Sequence, residues 1–259
     1  MRALALLLLA PVLLAARLPD HQRYEDCTAL VRQNAAAAFS EGLDWVDKGG
    51  GVAARHCSAL ALSAMGKHEA AAELMLEAAN AAADGKGVQL LGMEMTPQLR
   101  AQLYAQAGHS FILADKPSAA IAPFSDALEH LPIASPAAAD VMADRARALA
   151  MSGNLEGAFA DLTVAVGIMP DDPDILLLRA SAARQTDRLT IARQDVARLA
   201  DLRPDMPALW MEKAKIAMAD DEPTPARKHL QRAIELDDGG PVTQAARYLL
   251  EELMLRPGR

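Results

Sequence analysis

Small apolar residues return at a fixed interval through the second half of the chain. Ala146, Ala180 and Ala214 stand 34 residues apart, as do Ala158, Ala192 and Ala226. Pro170 and Pro204 keep the same step, and Asp238 occupies the third place. A period of this length, sustained over residues 139–238, marks a two-helix unit repeated along the chain. One such unit cannot bury its apolar faces alone, so neighbouring units must stack and share a continuous core. The pattern predicts a first helix over 139–151 with Ala146 near its middle and a second over 154–169 with Ala158 near its start. Helix axes approach to the short end of their usual separation only where side chains are small, and alanine supplies that together with the highest helix propensity. Gly153-Asn154 separates the two helices, and Pro170 ends the second because proline cannot continue it. Asp172-Pro173 and Pro204-Asp205 are the linking turns, their carboxylates placed to cap the helix that follows.

Upstream the same alternation is less regular. Residues 24–32 and 34–47 read as a shortened first pair closed by Gly49-Gly50-Gly51, with Trp45 as a core residue. A second pair follows over 52–65 and 68–83, with Ala71, Met75 and Ala78 on the packing face. Gly85, Gly87 and Gly92 interrupt an apolar segment over 84–96, which reads as a long connector. A third pair spans 97–114 and 117–131. The step from Ala120 to Ala158 is 38 residues, so four residues are inserted around 133–138 before the regular array. Asp238-Gly239-Gly240-Pro241 is a strong stop. After it, residues 242–255 carry Arg247, Glu251 and Glu252 among leucines, the one polar and one apolar face that a terminal capping helix needs.

The third pair carries a recognisable motif. Tyr104, Ala107, Gly108 and Phe111, then Ala120 and Phe124, then Pro132, follow the order aromatic, small pair, aromatic, alanine, aromatic, proline. This resembles the tetratricopeptide repeat family, over residues 50–255. Ala107 departs from it, standing where the family has leucine. Trp210 repeats the leading aromatic in the last unit, whereas Ala183 and Ala217 stand where an aromatic faces the second helix. The resemblance implies an all-α, right-handed solenoid of about six helix pairs plus a C-terminal capping helix. It also implies that first helices line a concave surface on which partner peptides or helices dock.

Composition narrows the classes further. The chain has 259 residues, 52% of them hydrophobic and only 3% aromatic, which suits alanine-packed helix pairs better than a β-sandwich. A formal charge of −8 argues against a partner bound through phosphates, and no nucleic-acid partner is expected. Residues 1–16 read as a secretory signal peptide, Arg2 followed by an apolar run too short to span a bilayer. The alternative is an uncleaved apolar first helix. Export to the periplasm or outside the cell follows from the first reading, with no membrane span in the mature chain. The domains are then the signal peptide (1–16), N-terminal pairs (17–83), connector (84–96), array (97–238), and capping helix with tail (239–259).

The two cysteines each open a near-identical tetrapeptide, Cys27-Thr28-Ala29-Leu30 and Cys57-Ser58-Ala59-Leu60. Both tetrapeptides fall in first helices of successive units, where equivalent side chains come within disulfide reach. An oxidising compartment favours the bond; the other reading is two buried thiols packed as small apolar residues.

Candidate chemistry is sparse. His21, His56, His68, His109, His130 and His229 form no metal-ligand spacing, and neither a phosphate-binding loop nor a nucleophile elbow is present. The carboxylate pairs Asp171-Asp172, Asp220-Asp221 and Asp237-Asp238 fall in turns, where capping accounts for them. No catalytic residue, metal or cofactor is expected, and the chain is not expected to be an enzyme. The family's concave positions fall here on His109, Asp140, Arg147, Asp174, Ser181, Arg184, Met211 and Lys215. Among them Arg147, Arg184 and Lys215 suggest a basic track suited to an acidic peptide or terminal carboxylate; the other reading is ordinary solvated helix residues. The asparagine–lysine carboxylate clamp of chaperone-binding relatives is absent. The expected function is a protein-binding scaffold of the cell envelope, the alternative an accessory or small-ligand-binding subunit of an enzyme complex.

Overall fold

The computed structural model describes residues 20–81, 89–90 and 93–255. The apolar run at 1–16 lies outside them, as do most of the connector and the last four residues. Among the described residues six helical hairpins follow one another. They are α1 (Asp20–Gln33) with α2 (Ala35–Asp47), α3 (Gly51–Ala64) with α4 (His68–Ala81), and α5 (Pro97–Leu113) with α6 (Pro117–Glu129). Then come α7 (Pro136–Met151) with α8 (Leu155–Ile168), α9 (Pro173–Gln185) with α10 (Leu189–Leu202), and α11 (Pro207–Ala219) with α12 (Pro223–Leu236). A thirteenth helix, α13 (Pro241–Leu255), stands alone. Each helix packs on its neighbours in the chain, and first helices also meet across units, α7 on α9, α9 on α11 and α11 on α13. This is the one-dimensional stacking of an α-solenoid. Within the segment read as a plain connector, β1 (Gln89–Leu90) pairs antiparallel with β2 (Met93–Glu94).

The helix starts follow their capping residues. Thr96, Ser135, Asn154 and Asp172 each accept a backbone N–H of the first turn through the side chain, satisfying donors that have no partner inside the helix. Ser135 explains the four inserted residues: with Pro136 behind it, α7 starts three residues before the expected 139 and is longer than α9 or α11. The break between first and second helix is built alike in five units. Gly66, Asp115, Gly153, Asp187 and Asp221 all have positive φ. The residue after each donates its N–H to the carbonyl five positions back, at 2.7–2.9 Å, the helix-ending motif that a left-handed residue permits. In three of these units an aspartate, which tolerates that region better than most residues, replaces glycine.

Packing follows the alanine register. Ala146, Ala180, Ala214, Ala158, Ala192 and Ala226 are all buried. Gly108 holds the equivalent place in the third unit, and a Cβ there would fall 2.7 Å from the Phe124 ring, so the large aromatic is housed by the missing side chain. In α13 the register continues with Thr243, Ala246 and Leu253 buried against the last unit. The face that elsewhere receives a second helix carries exposed Gln244, Arg247, Tyr248 and Glu251. Tyr248 stands 34 residues after Ala214, a bulky side chain where close helix approach demands a small one. That substitution makes α13 a cap.

At the other end Cys27 on α1 and Cys57 on α3 form a disulfide, with Cα atoms 6.3 Å apart and both residues buried. Beside it runs a chain of side chains across three first helices. Tyr24 Oη donates to His56 Nδ1 at 2.7 Å, and His56 Nε2 donates to Gln106 Oε1 at 2.7 Å. Burial pushes the His56 pKa below its ordinary value, against the opposing effect of the Gln106 bond. The unfolded chain therefore binds this proton more readily than the folded one, so stability rises with pH through this group. Stability held above the unfolded value of about 6.5 is lost as pH falls through the lower folded value. Hydrogen exchange in α1–α3, corrected for intrinsic rates, should accelerate over that fall in wild type and respond less in His56→Gln.

Candidate partner-binding groove

On a straight helix, residues four apart share a face. His109 and Leu113 on α5, Arg147 and Met151 on α7, and Ser181 and Gln185 on α9 are such pairs, and Lys215 continues the row on α11. The small residues that let the hairpins nest bring these faces side by side. Leu113 is 62% exposed and Met151 53% exposed, two large apolar side chains at equivalent places in successive units.

The charged members of the row are not free. His109 Nε2 lies 2.7 Å from Asp144 Oδ2, and Arg147 is bonded to that same carboxylate. One unit pair further along, Arg184 Nε donates to Glu212 Oε1 at 2.6 Å, while Lys215 Nζ lies 3.9 Å from Glu212 Oε2. The Glu212 side chain is only 4% exposed, a desolvated acid held by two cations. Asp144 and Glu212 occupy corresponding places and bridge one first helix to the next. Sequence reasoning passed over both, although each stands three residues before a cation of the row, the spacing of an intrahelical ion pair.

Asp140 and Asp174 are exposed. Burial, and then the charges of Asp172 and Asp144, hold the Asp140 carboxyl above its ordinary pKa. Near Asp140 the face thus carries the carboxylates of Asp140, Asp144 and Asp172 beside Arg147. Asp174 opens α9, where its N–H is bound by the Asp172 carboxylate. Ser181 accepts from Gln185 at 3.3 Å. Met211 departs from the expected exposure: at 7% it belongs to the core that α13 completes with Ala246 and Leu253. Sequence mapping placed it by helix register alone, without the capping helix that covers it.

The arrangement offers an apolar edge beside fixed charges of both signs, a surface for non-covalent contact. Among the described residues, no group of three or more histidine, cysteine, aspartate or glutamate side chains is placed to hold a metal ion, and no helix is long and apolar enough to cross a membrane.

No protein-family model matches the sequence, and no curated protein matches it. Solved structures do. A tetratricopeptide repeat protein from Parabacteroides merdae ATCC 43184 superposes with a TM-score of 0.59 at 15% identity, over 90% of this chain and 74% of its own. YrrB, described as a TPR protein with an unusual peptide-binding site, gives 0.57 at 15% identity, over 82% and 98%. PilF of Pseudomonas aeruginosa gives 0.57 at 13% identity, over 89% and 99%. With the period, the hairpin turns and the alanine contacts, these likenesses identify the fold as that of a tetratricopeptide-repeat protein.

Proposed function

We propose that this chain is a non-catalytic scaffold that holds a partner polypeptide along the row of first helices from α5 to α11. The observation that carries this reading is the pairing of exposed Leu113 and Met151 with charges already fixed by Asp144 and Glu212. Pre-paired charges lose little side-chain freedom when a partner arrives, and the adjacent apolar side chains gain by being covered. An amphipathic helix or extended peptide suits such a strip. The YrrB likeness supports the reading, since that relative is described as having a peptide-binding site. The buried disulfide supports a place in an oxidising compartment such as the cell envelope.

The test is affinity capture from an envelope fraction, with wild type and with Leu113→Glu/Met151→Glu compared at equal helicity by circular dichroism. A partner retained by wild type should be lost from the double variant, with Kd weakened at least about tenfold. A partner that binds both forms equally would place recognition elsewhere. Charge reversal of Arg147 and Arg184 is a poorer test, because it leaves Asp144 and buried Glu212 facing new acids.

A further inference from the structure

In the fourth and fifth units an arginine on the first helix is gripped by an aspartate on the second. Arg145 Nε and Nη2 donate to Asp161 at 2.7 and 2.8 Å, and Arg179 Nε and Nη2 to Asp195 at 2.8 and 2.6 Å. The 34-residue step that relates these pairs carries the arginine position on to Lys213 and the aspartate position on to His229. The sixth unit thus brings two bases to a seam where its predecessors bring a base and an acid.

A cavity of about 250 Å³ opens there, between α10 and the α11–α12 hairpin. Lys213 and His229 line it beside the apolar Val196, Ile216 and Ala217. Trp210 joins the two bases: the Lys213 ammonium stands 4.8 Å from its ring centroid, and its ring lies 5.6 Å from that of His229. Among the described residues no carboxylate lies within ion-pair distance of Lys213 or His229. Three other charged groups face the cavity, Arg193, Asp220 and Glu222. Arg193 binds Asp220 at 2.5 and 3.3 Å and also feels Glu222, so one cation meets two acids and a single negative charge is left on the cavity rim. That charge makes no ion pair with Lys213 or His229, and burial followed by the Lys213 charge holds the His229 pKa below its ordinary value.

We propose that this seam binds a carboxylate, which takes the place that Asp161 and Asp195 fill in the preceding units. Lys213 meets one oxygen and the protonated ring of His229 the other, while the apolar lining receives a short stem. The volume suits a single acidic side chain, a chain terminus or a small aliphatic acid. Lys213 lies about 200° around α11 from Lys215, so the site is separate from the groove and does not depend on its function. Because the bound anion favours the imidazolium, binding takes up a proton. Affinity rises as pH falls through the raised midpoint of the bound ring toward the depressed midpoint of the free one, until the carboxylate itself protonates near about 4.

The experiment follows the His229 ring signals by NMR in the full chain, with propionate as probe and propionamide as control. Propionate should shift them saturably and raise the His229 titration midpoint; propionamide should not. Lys213→Met should weaken the response at least about tenfold. An amide-capped tripeptide with a central glutamate and an acetylated trialanine with a free terminus identify the source. Tighter binding of either peptide than of propionate points to a side chain or to a terminus, and equal binding of all three to a small acid. A second variant, K213R with H229D, rebuilds the internal pair. It should raise the thermal midpoint, and the Trp210 fluorescence change that propionate should cause in wild type, through Lys213 and His229 against the ring, should be absent. An unmoved His229 in wild type, an equal shift in K213M, or a persisting response in the double variant would each overturn the proposal.

Discussion

Asp195→Ala should cost about 3–5 kcal/mol, the range for stripping one partner from a buried ion pair. The Asp195 side chain is 3% exposed and accepts two hydrogen bonds from Arg179, itself 17% exposed. Alanine leaves a guanidinium that cannot shed its charge facing an apolar seam between α9 and α10. Arg179→Leu/Asp195→Leu should recover most of the loss, because the desolvation of both charges goes with them. Asp161→Ala, one unit earlier, should cost less. That pair is more open to water, and Arg145 keeps a second partner in Ser125 at 3.1 Å. Urea unfolding followed by far-UV circular dichroism measures all three variants. Equal losses for Asp195→Ala and Asp161→Ala would show that burial does not set the cost.

Removing the disulfide should have an effect of similar size but in one place only. Cys27 and Cys57 are 30 residues apart, and closing such a loop is worth about 3.6 kcal/mol through the entropy of the unfolded chain. Cys27→Ala/Cys57→Ala keeps both sites small and apolar, so the loss reports the crosslink. In a solenoid each unit touches only its neighbours, so hydrogen exchange should rise sharply in α1–α3 and stay unchanged in α9–α12. Uniform loosening of the whole array would mean that the chain unfolds as a single cooperative block.

The stepwise alanines and prolines placed the hairpins of the regular array within a few residues of their observed ends, because small residues at crossings and stops between helices act locally. The repeated tetrapeptides at Cys27 and Cys57 likewise gave the pairing that the structure contains. The turns were legible in part. Gly153 announced itself, but Asp115, Asp187 and Asp221 take the same left-handed conformation without glycine, so composition did not mark them. The seam pairs Arg145–Asp161 and Arg179–Asp195 obey the same 34-residue period as the alanines, so the sequence carries them as a repeat of charge.

Local sequence by itself determined that this protein is a row of alanine-packed helical hairpins, with a bulky, polar-faced helix at its end. Which side chains pair between neighbouring first helices was decided only by the tertiary structure. His109 finds Asp144 across 35 positions and Arg184 finds Glu212 across 28, and both unions depend on how one first helix is set against the next. Periodicity fixes that a neighbour exists, whereas the offset and rotation between neighbours fix whose carboxylate arrives. For the same reason Met211 joins the core that α13 completes, and Lys213 and His229 meet no carboxylate within ion-pair distance among the described residues.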